Sequence, residues 1–233
     1  MRSAIILAAG KGTRMKSALN KVMHPVSNKP MIGHIVCSLR KAGVDNIVVV
    51  VGHGAESVRE YLGDSVRYAV QEPQLGTGHA VMQAQCLADL DGDTLILNGD
   101  GPCIQSETID RVFAANADSE MTVLTAVLPD GERYGRIIRN AEGYVERIVE
   151  AKDCTPQELA VTEINTGIFC FKNRLLFAHL KEIRNDNAQQ EYYLTDLVAI
   201  FNQCGLRVNG LVADDPQETM GVNDRIDLVD DAA

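Results

Sequence analysis

The 233-residue chain has no Pro/Gly/Ser-rich stretch and no charge run that would mark a linker, so a single well-packed α/β domain is expected. Its longest apolar stretches, such as Ile47 to Val51 and Thr94 to Leu97, are strand-length. They fall far short of the roughly 20 residues that a membrane-spanning helix needs. Ala4 to Ala9 is too short for a signal-peptide core, and a cytoplasmic location is expected. The six cysteines, Cys37, Cys86, Cys103, Cys154, Cys170 and Cys204, are scattered, with no CxxC pair and no metal-ligand spacing. They read as reduced and mostly structural. Basic excess is missing too: the formal net charge is −10, which argues against nucleic acid as a partner. Internal repeats and low-complexity tracts are absent.

What is present begins with AIILAAGKGTRM, Ala4 to Met15, an apolar run that breaks into a Gly-rich turn carrying Lys11 and Arg14. A buried strand delivers the backbone to Ala8, Ala9 and Gly10, whose small size lets a polyphosphate approach exposed N–H groups. Two cations then offset its charge. The net negative balance does not oppose this, because one triphosphate is held by a few local cations, backbone amides and a metal. The turn is not a Walker A loop, since Gly10 and Gly12 stand too close together and no Lys-Ser or Lys-Thr follows at that spacing. It fails the dinucleotide fingerprint as well, because Met15 stands where a third glycine belongs. The string resembles the LxxGxGTRM signature of sugar-phosphate nucleotidyltransferases.

Strands alternate with helices: a strand over Ser3 to Ala9, a helix around Met31 to Ala42, a strand Ile47 to Val51, a helix Ala55 to Leu62 and a strand Val66 to Gln71. A helix from near Gly78 through Leu87 then leads to the strand Thr94 to Leu97. This pattern predicts a doubly wound, mostly parallel, Rossmann-like α/β sheet with ligands at the strands' C-terminal ends. A helix near Glu107 to Ala115 and a strand Met121 to Val127 continue it. From Gly135 to Glu150 the segments shorten into a small antiparallel excursion that would face a second substrate. An apolar strand Ile164 to Phe171 follows, then a helix about Leu194 to Cys204, a strand about Val208 to Ala213 and a possible helix from Asn223.

LILNGDGP, Leu95 to Pro102, sets Asp100 directly after a strand, with Gly99 and Gly101 leaving room for a ligand. That suits Mg²⁺, which prefers oxygen donors and takes only one or two from the protein. Asn223 in GVNDR offers a second oxygen, although an Asn in that setting is more often a helix cap. In QEPQLGTGHA, Gln71 presents a donor and an acceptor that match a pyrimidine edge, and Gly76, Thr77 and Gly78 precede a helix that Thr77 would cap. Lys21 in LNKVMHP is a candidate phosphate contact, against the ordinary expectation of a solvated lysine. His24, His53 and His79 read as structural.

Taken together, LAAGKGTRM, the lysine in NKVMHP, QLGTGHA, NGDGP, RYGRI, VEAKD, EINTG, EYYLTD and GVNDR stand in one order. They resemble the uridylyltransferase (pyrophosphorylase) domain of the bifunctional bacterial enzymes that make UDP-N-acetylglucosamine, over Ile5 to about Arg225. The resemblance implies a nucleotide-diphospho-sugar transferase fold, with residues 1–110 as the nucleotide-binding half and 111–233 as the sugar-binding half and C-terminal segment. It implies that UTP and N-acetylglucosamine 1-phosphate are the substrates and that Mg²⁺ is the cofactor. Leu7 to Gly10, Gln71, Gly76, Thr77, Asn98 and Gly99 would hold the nucleotide. Arg14 and Lys21 would act on the phosphates, Asp100 and Asn223 would bind the metal, and Gly135, Glu150 and Asn165 would surround the sugar. Three positions depart from the family pattern. Asn20 replaces a proline, with loop stiffness the expected effect; Asn98 replaces an aromatic residue; Cys103 replaces a leucine. The family's trimer-forming acetyltransferase β-helix has no counterpart in this sequence. Acetyl transfer is therefore not expected, and an oligomer remains possible. Glucose 1-phosphate with UTP or dTTP, or a non-catalytic UTP-binding domain, are the alternatives.

Overall fold

The computed structural model describes residues 1–222 apart from 11, 13, 14, 16, 18, 132 and 188. Strand β1 (Arg2–Ala8) opens the chain, and a short 3-10 turn over Lys21–Met23 leads to a two-stranded hairpin, β2 (Pro25–Val26) and β3 (Lys29–Pro30). Then come α1 (Met31–Lys41), β4 (Asn46–Val51), α2 (Ala55–Leu62), β5 (Arg67–Val70), α3 (Thr77–Met82), β6 (Asp93–Asn98) and α4 (Ser106–Ala115). The second half holds β7 (Met121–Val127), the hairpin β8 (Arg136–Arg139) and β9 (Val145–Val149), α5 (Pro156–Leu159) and β10 (Glu163–Lys172). Helices α6 (Asn173–His179) and α7 (Asp196–Gln203) and strand β11 (Val208–Val212) follow.

The main sheet runs β11-β7-β10-β6-β1-β4-β5. β1 pairs in parallel with β4 and β6, and β11 with β7, while β10 is antiparallel to both of its neighbours. The β8–β9 hairpin joins β10 through Ile164 and Arg136, and it is the antiparallel excursion expected from the sequence. Because helices cover both faces, the central strands read as continuous apolar runs. Ile6, Val49 and Leu97 pack with Ile35, Leu39 and Phe113 on one face. Ile5, Val48, Ile96 and Phe171 pack with Val81, Leu176 and Phe201 on the other.

Several expectations change. The helix from Gly78 to Leu87 is two pieces: α3 ends at Met82, Ala84 leaves helical geometry, and a separate 3-10 turn spans Gln85–Leu87. Bonds from Gln83 N to Ala80 O and from Ala84 N to Val81 O tighten the end of α3 into a 3-10 turn. Helices α5 and α6 and the Pro25–Pro30 hairpin were not foreseen. None of the six cysteines is in a disulfide, but Cys170 alone is buried, and Cys86 and Cys204 are exposed, so a mainly structural role does not describe them. The helix expected from Asn223 lies outside the described residues. No helix among the described residues is long and apolar enough to cross a membrane.

Candidate active site

The C-terminal ends of β1 and β6 meet where Gly99 N–H donates to Leu7 O at 2.9 Å. A side chain at Gly99 would meet Val22 Cγ1 at 2.8 Å and Leu7 O at 3.0 Å, so this glycine permits close packing of two loops, while Gly101 beyond it faces open space. Asp100 stands between them, and its Oδ2 lies 2.5 Å from Lys21 Nζ. Gly12, at φ +57°, makes room for Lys21: a Cβ there would lie 2.7 Å from Lys21 Cβ. Val222 N–H donates to Asp100 O at 2.8 Å, which brings the chain leading to Asn223 against Asp100. Arg14 and Asn223 themselves lie outside the described residues. Ala8 and Ala9 are buried, and Gly10 is exposed with nothing crowding it.

Asn20 does more than alter loop stiffness. Its buried side chain accepts from Val22 N at 3.2 Å and donates to His53 O at 2.7 Å, which ties the turn carrying Lys21 to the loop after β4. Proline at this position would remove both bonds.

Gln71 is buried directly after β5, its N–H bonded to Val51 O at 2.8 Å. Its amide nitrogen lies 2.9 Å from Gly76 O and 3.1 Å from His79 Nδ1, which gives His79 the structural role expected of it. Gly76, at φ +105°, begins α3 without a side-chain cap. Thr77 does not cap that helix, because its hydroxyl accepts from Leu194 N at 3.0 Å instead. Bonds from Gly78 N to Tyr192 O and from Tyr192 N to Leu75 O, both 2.8 Å, lace this loop to the EYYLTD segment.

These loops form one side of a cleft of about 660 Å³. Leu7, Thr77 and Asn98 line it from the first half of the chain, and Glu150 and Asn165 from the second. Asn165 is aimed by a bulge in β10, where the register with β7 shifts between Asn165 and Ile168. Gly167 N–H donates to Asn165 Oδ1 at 3.0 Å, Thr166 Oγ1 bonds Leu124 O at 2.7 Å, and Asn165 N–H reaches Gly135 O at 2.8 Å. Gly135 sits behind Glu150, with a hypothetical Cβ 3.7 Å from Oε1. The predicted residues do not all meet in one space. Asp100 borders an adjoining cavity of about 110 Å³, for which Asn98 is a shared wall, and Gln71 borders a third of about 340 Å³ beside Gly52 and His53.

Arg133, Lys152, Tyr193 and Thr195 also line the large cleft, and sequence reasoning missed them. VEAKD and EYYLTD were both noted as motifs, so Lys152 and Thr195 were within reach of it. Glu150 stands at the rim, where desolvation by its surroundings and then the charge of Asp153 raise its pKa against the opposing pull of Lys152. Asp196 at the start of α7 is raised by burial and then by Glu150.

A family model described as nucleotidyl transferase matches residues 3–208. The chain belongs to the nucleotidyl transferase family. It is 53% identical over 230 residues to the bifunctional protein GlmU of Limosilactobacillus reuteri, and 54% identical over 228 residues to that of Brevibacillus brevis. Each alignment takes in 97% of this chain and 50% of the relative, so the chain spans about half the length of these curated relatives. Among solved structures, a putative glucose-1-phosphate thymidylyltransferase from Bacillus anthracis, crystallised with a sucrose, superposes with a TM-score of 0.78. At 23% identity, covering 100% of this chain and 94% of that one, it shows that the fold is shared. The mostly parallel, Rossmann-like sheet expected from the sequence is thus present, in a fold shared with that structure.

Proposed function

We propose that this nucleotidyl transferase moves UMP from UTP to N-acetylglucosamine 1-phosphate, giving UDP-N-acetylglucosamine and pyrophosphate. The observation that carries the reading is the single cleft in which Leu7, Thr77 and Asn98 face Glu150 and Asn165, beside the Lys21–Asp100 pair. Half-identity to bifunctional GlmU proteins supports the choice of product, as does the order of motifs along the chain.

A phosphate oxygen of the sugar phosphate attacks the α-phosphorus of UTP, and the bond from that phosphorus to the bridging oxygen breaks as pyrophosphate leaves. No protein nucleophile is required. The turn from Leu7 to Gly10 offers backbone groups to the nucleotide. Gln71, whose amide nitrogen is committed to Gly76 O and His79, offers its oxygen to the N3–H of uracil. Gly76 and Thr77 complete that contact, and Gly99 holds the ribose side close to Leu7. Arg14 and Lys21 counter the charge that develops on the phosphates. Asn165 donates to and accepts from the sugar, ionised Glu150 accepts from its hydroxyls, and Gly135 leaves room behind them.

The donors at Asp100 fit Mg²⁺: a carboxylate at a strand end, open space at Gly101, and the chain entering Asn223 hydrogen-bonded to Asp100 O. Asp100 and Asn223 would hold the ion, which would supply charge neutralisation to the phosphates, and Lys21 beside Asp100 would add a positive charge there.

The test is pyrophosphate release from UTP with N-acetylglucosamine 1-phosphate, with glucose 1-phosphate and with no acceptor, each with Mg²⁺ and with chelator. Release that requires both Mg²⁺ and the N-acetyl sugar is expected. Equal or faster release with glucose 1-phosphate would move the specificity, and no release with either acceptor would overturn the catalytic reading.

A further inference from the structure

At the ends of α6 and α7, the fold brings a thiol against an imidazole and a carboxylate that stand three residues apart in sequence. The ligand atoms of His179, Glu182 and Cys204 all lie within 4.8 Å of one another, and this is the one such trio of metal-ligating side chains among the described residues. We propose that these three side chains bind a borderline-soft divalent cation, Zn²⁺ above all, at a site separate from the oxygen donors of Asp100.

The donor set selects the ion. Thiolate, imidazole and carboxylate are the ordinary ligands of Zn²⁺, at about 2.0–2.3 Å. Mg²⁺ demands hard oxygen donors and has no use for a thiol. Tetrahedral coordination at such distances puts neighbouring ligand atoms roughly 3.3–3.8 Å apart. His179 Nδ1 and Glu182 Oε1 are hydrogen-bonded at 2.9 Å, and with all three ligand atoms within 4.8 Å of one another the trio brackets that spacing.

Two of the three ligands are already held. The His179 ring packs edge-on against Phe201, with centroids 5.4 Å apart at 60°, and Phe201 is fully buried. The N–H of Cys204 is fixed at the end of α7 by Ile200 O and Phe201 O, both at 3.1 Å, ahead of Gly205 at φ +72°. Glu182 and Cys204 are exposed, so an ion has free entry, and Glu182 borders an open groove that also includes Lys181 and Gln203. Thr195, which lines the reaction cleft, stands at the other end of α7, about 13.5 Å from Cys204 along the helix axis. Three protein ligands leave a fourth position for water.

Alkylation of the whole chain with iodoacetamide, followed by mass spectrometry of each cysteine, tests this, with exposed Cys86 as the internal reference. Zn²⁺ is expected to slow alkylation of Cys204 at least about tenfold relative to Cys86, saturating at one ion per chain, while Mg²⁺ at the same concentration leaves both unchanged. His179→Ala and, at the exposed position, Glu182→Gln should each lose most of this protection. Equal response of Cys204 and Cys86 to Zn²⁺, or full protection retained in both variants, would overturn the site.

Discussion

Leu7, Gly99 and Asp100 are set by parallel strands ending side by side, with one bond from Gly99 N to Leu7 O joining the ends of β1 and β6. Across the cleft, Asn165 and Glu150 hang from antiparallel strands, one aimed by the bulge at Gly167 and the other carried past the end of β9. The first wall is a property of the strand ends themselves. The second depends on contacts between segments remote in sequence, such as Asn165 N to Gly135 O and Thr166 to Leu124. The first wall should therefore fail through loss of chemistry and the second through loss of aim.

Asp100→Ala is the largest expected effect. Turnover should fall by about 10²- to 10³-fold, the usual consequence of removing one charge-stabilising contact, with the circular dichroism spectrum unchanged. At Gly167 the φ of +79° is costly for any other residue, and a Cβ would come within 2.6 Å of Asn98 Nδ2. Gly167→Ala should cost about 1–3 kcal/mol in denaturant unfolding and raise the KM for the sugar phosphate, because both Asn165 and Asn98 move. Asn20→Ala removes a cap and a tie to His53 O, and about 0.5–2 kcal/mol of stability should go with it. Lys21 would then be held less firmly, so kcat should fall further than the KM for UTP rises.

The smallest effect is on pH dependence. Glu150 is useful to a sugar hydroxyl as the carboxylate, and its raised pKa means that protonation sets in at higher pH than for an ordinary glutamate. Affinity for the sugar phosphate should weaken on acidification from that higher pH. Asp153→Asn removes one of the charges that raise Glu150, so the acidic limb of kcat/KM should move to lower pH. A limb that stays in place would mean that Glu150 does not titrate in binding.

This contrast also explains what could be read from the sequence. The first wall lies in short contiguous strings: AAGKG and NGDG begin on the last residues of β1 and β6, and QLGTG is the loop that enters α3. Asn20 was underrated because its partner, His53 O, is 33 positions away. Thr77 was misassigned for the same reason: as the first residue of α3 it was expected to cap that helix, yet its hydroxyl is taken by Leu194 N from 117 residues further on. In the His179, Glu182 and Cys204 trio the first two are only three residues apart, but Cys204 is 22 positions beyond Glu182, and the packing of α6 against α7 brings it in.

The division of the site between two substrates, the sugar at Glu150 in the cleft and the base at Gln71 in its neighbouring cavity, is tested most directly by two-substrate steady-state kinetics on Glu150→Gln and Gln71→Ala. A hydrogen bond to a charged group is worth about 1.5 kcal/mol or more, equivalent to roughly tenfold in KM. The account predicts that Glu150→Gln raises the KM for N-acetylglucosamine 1-phosphate by about that factor and leaves the KM for UTP unchanged, and that Gln71→Ala does the reverse. If both KM values rose together in either variant, the two walls would not serve separate substrates.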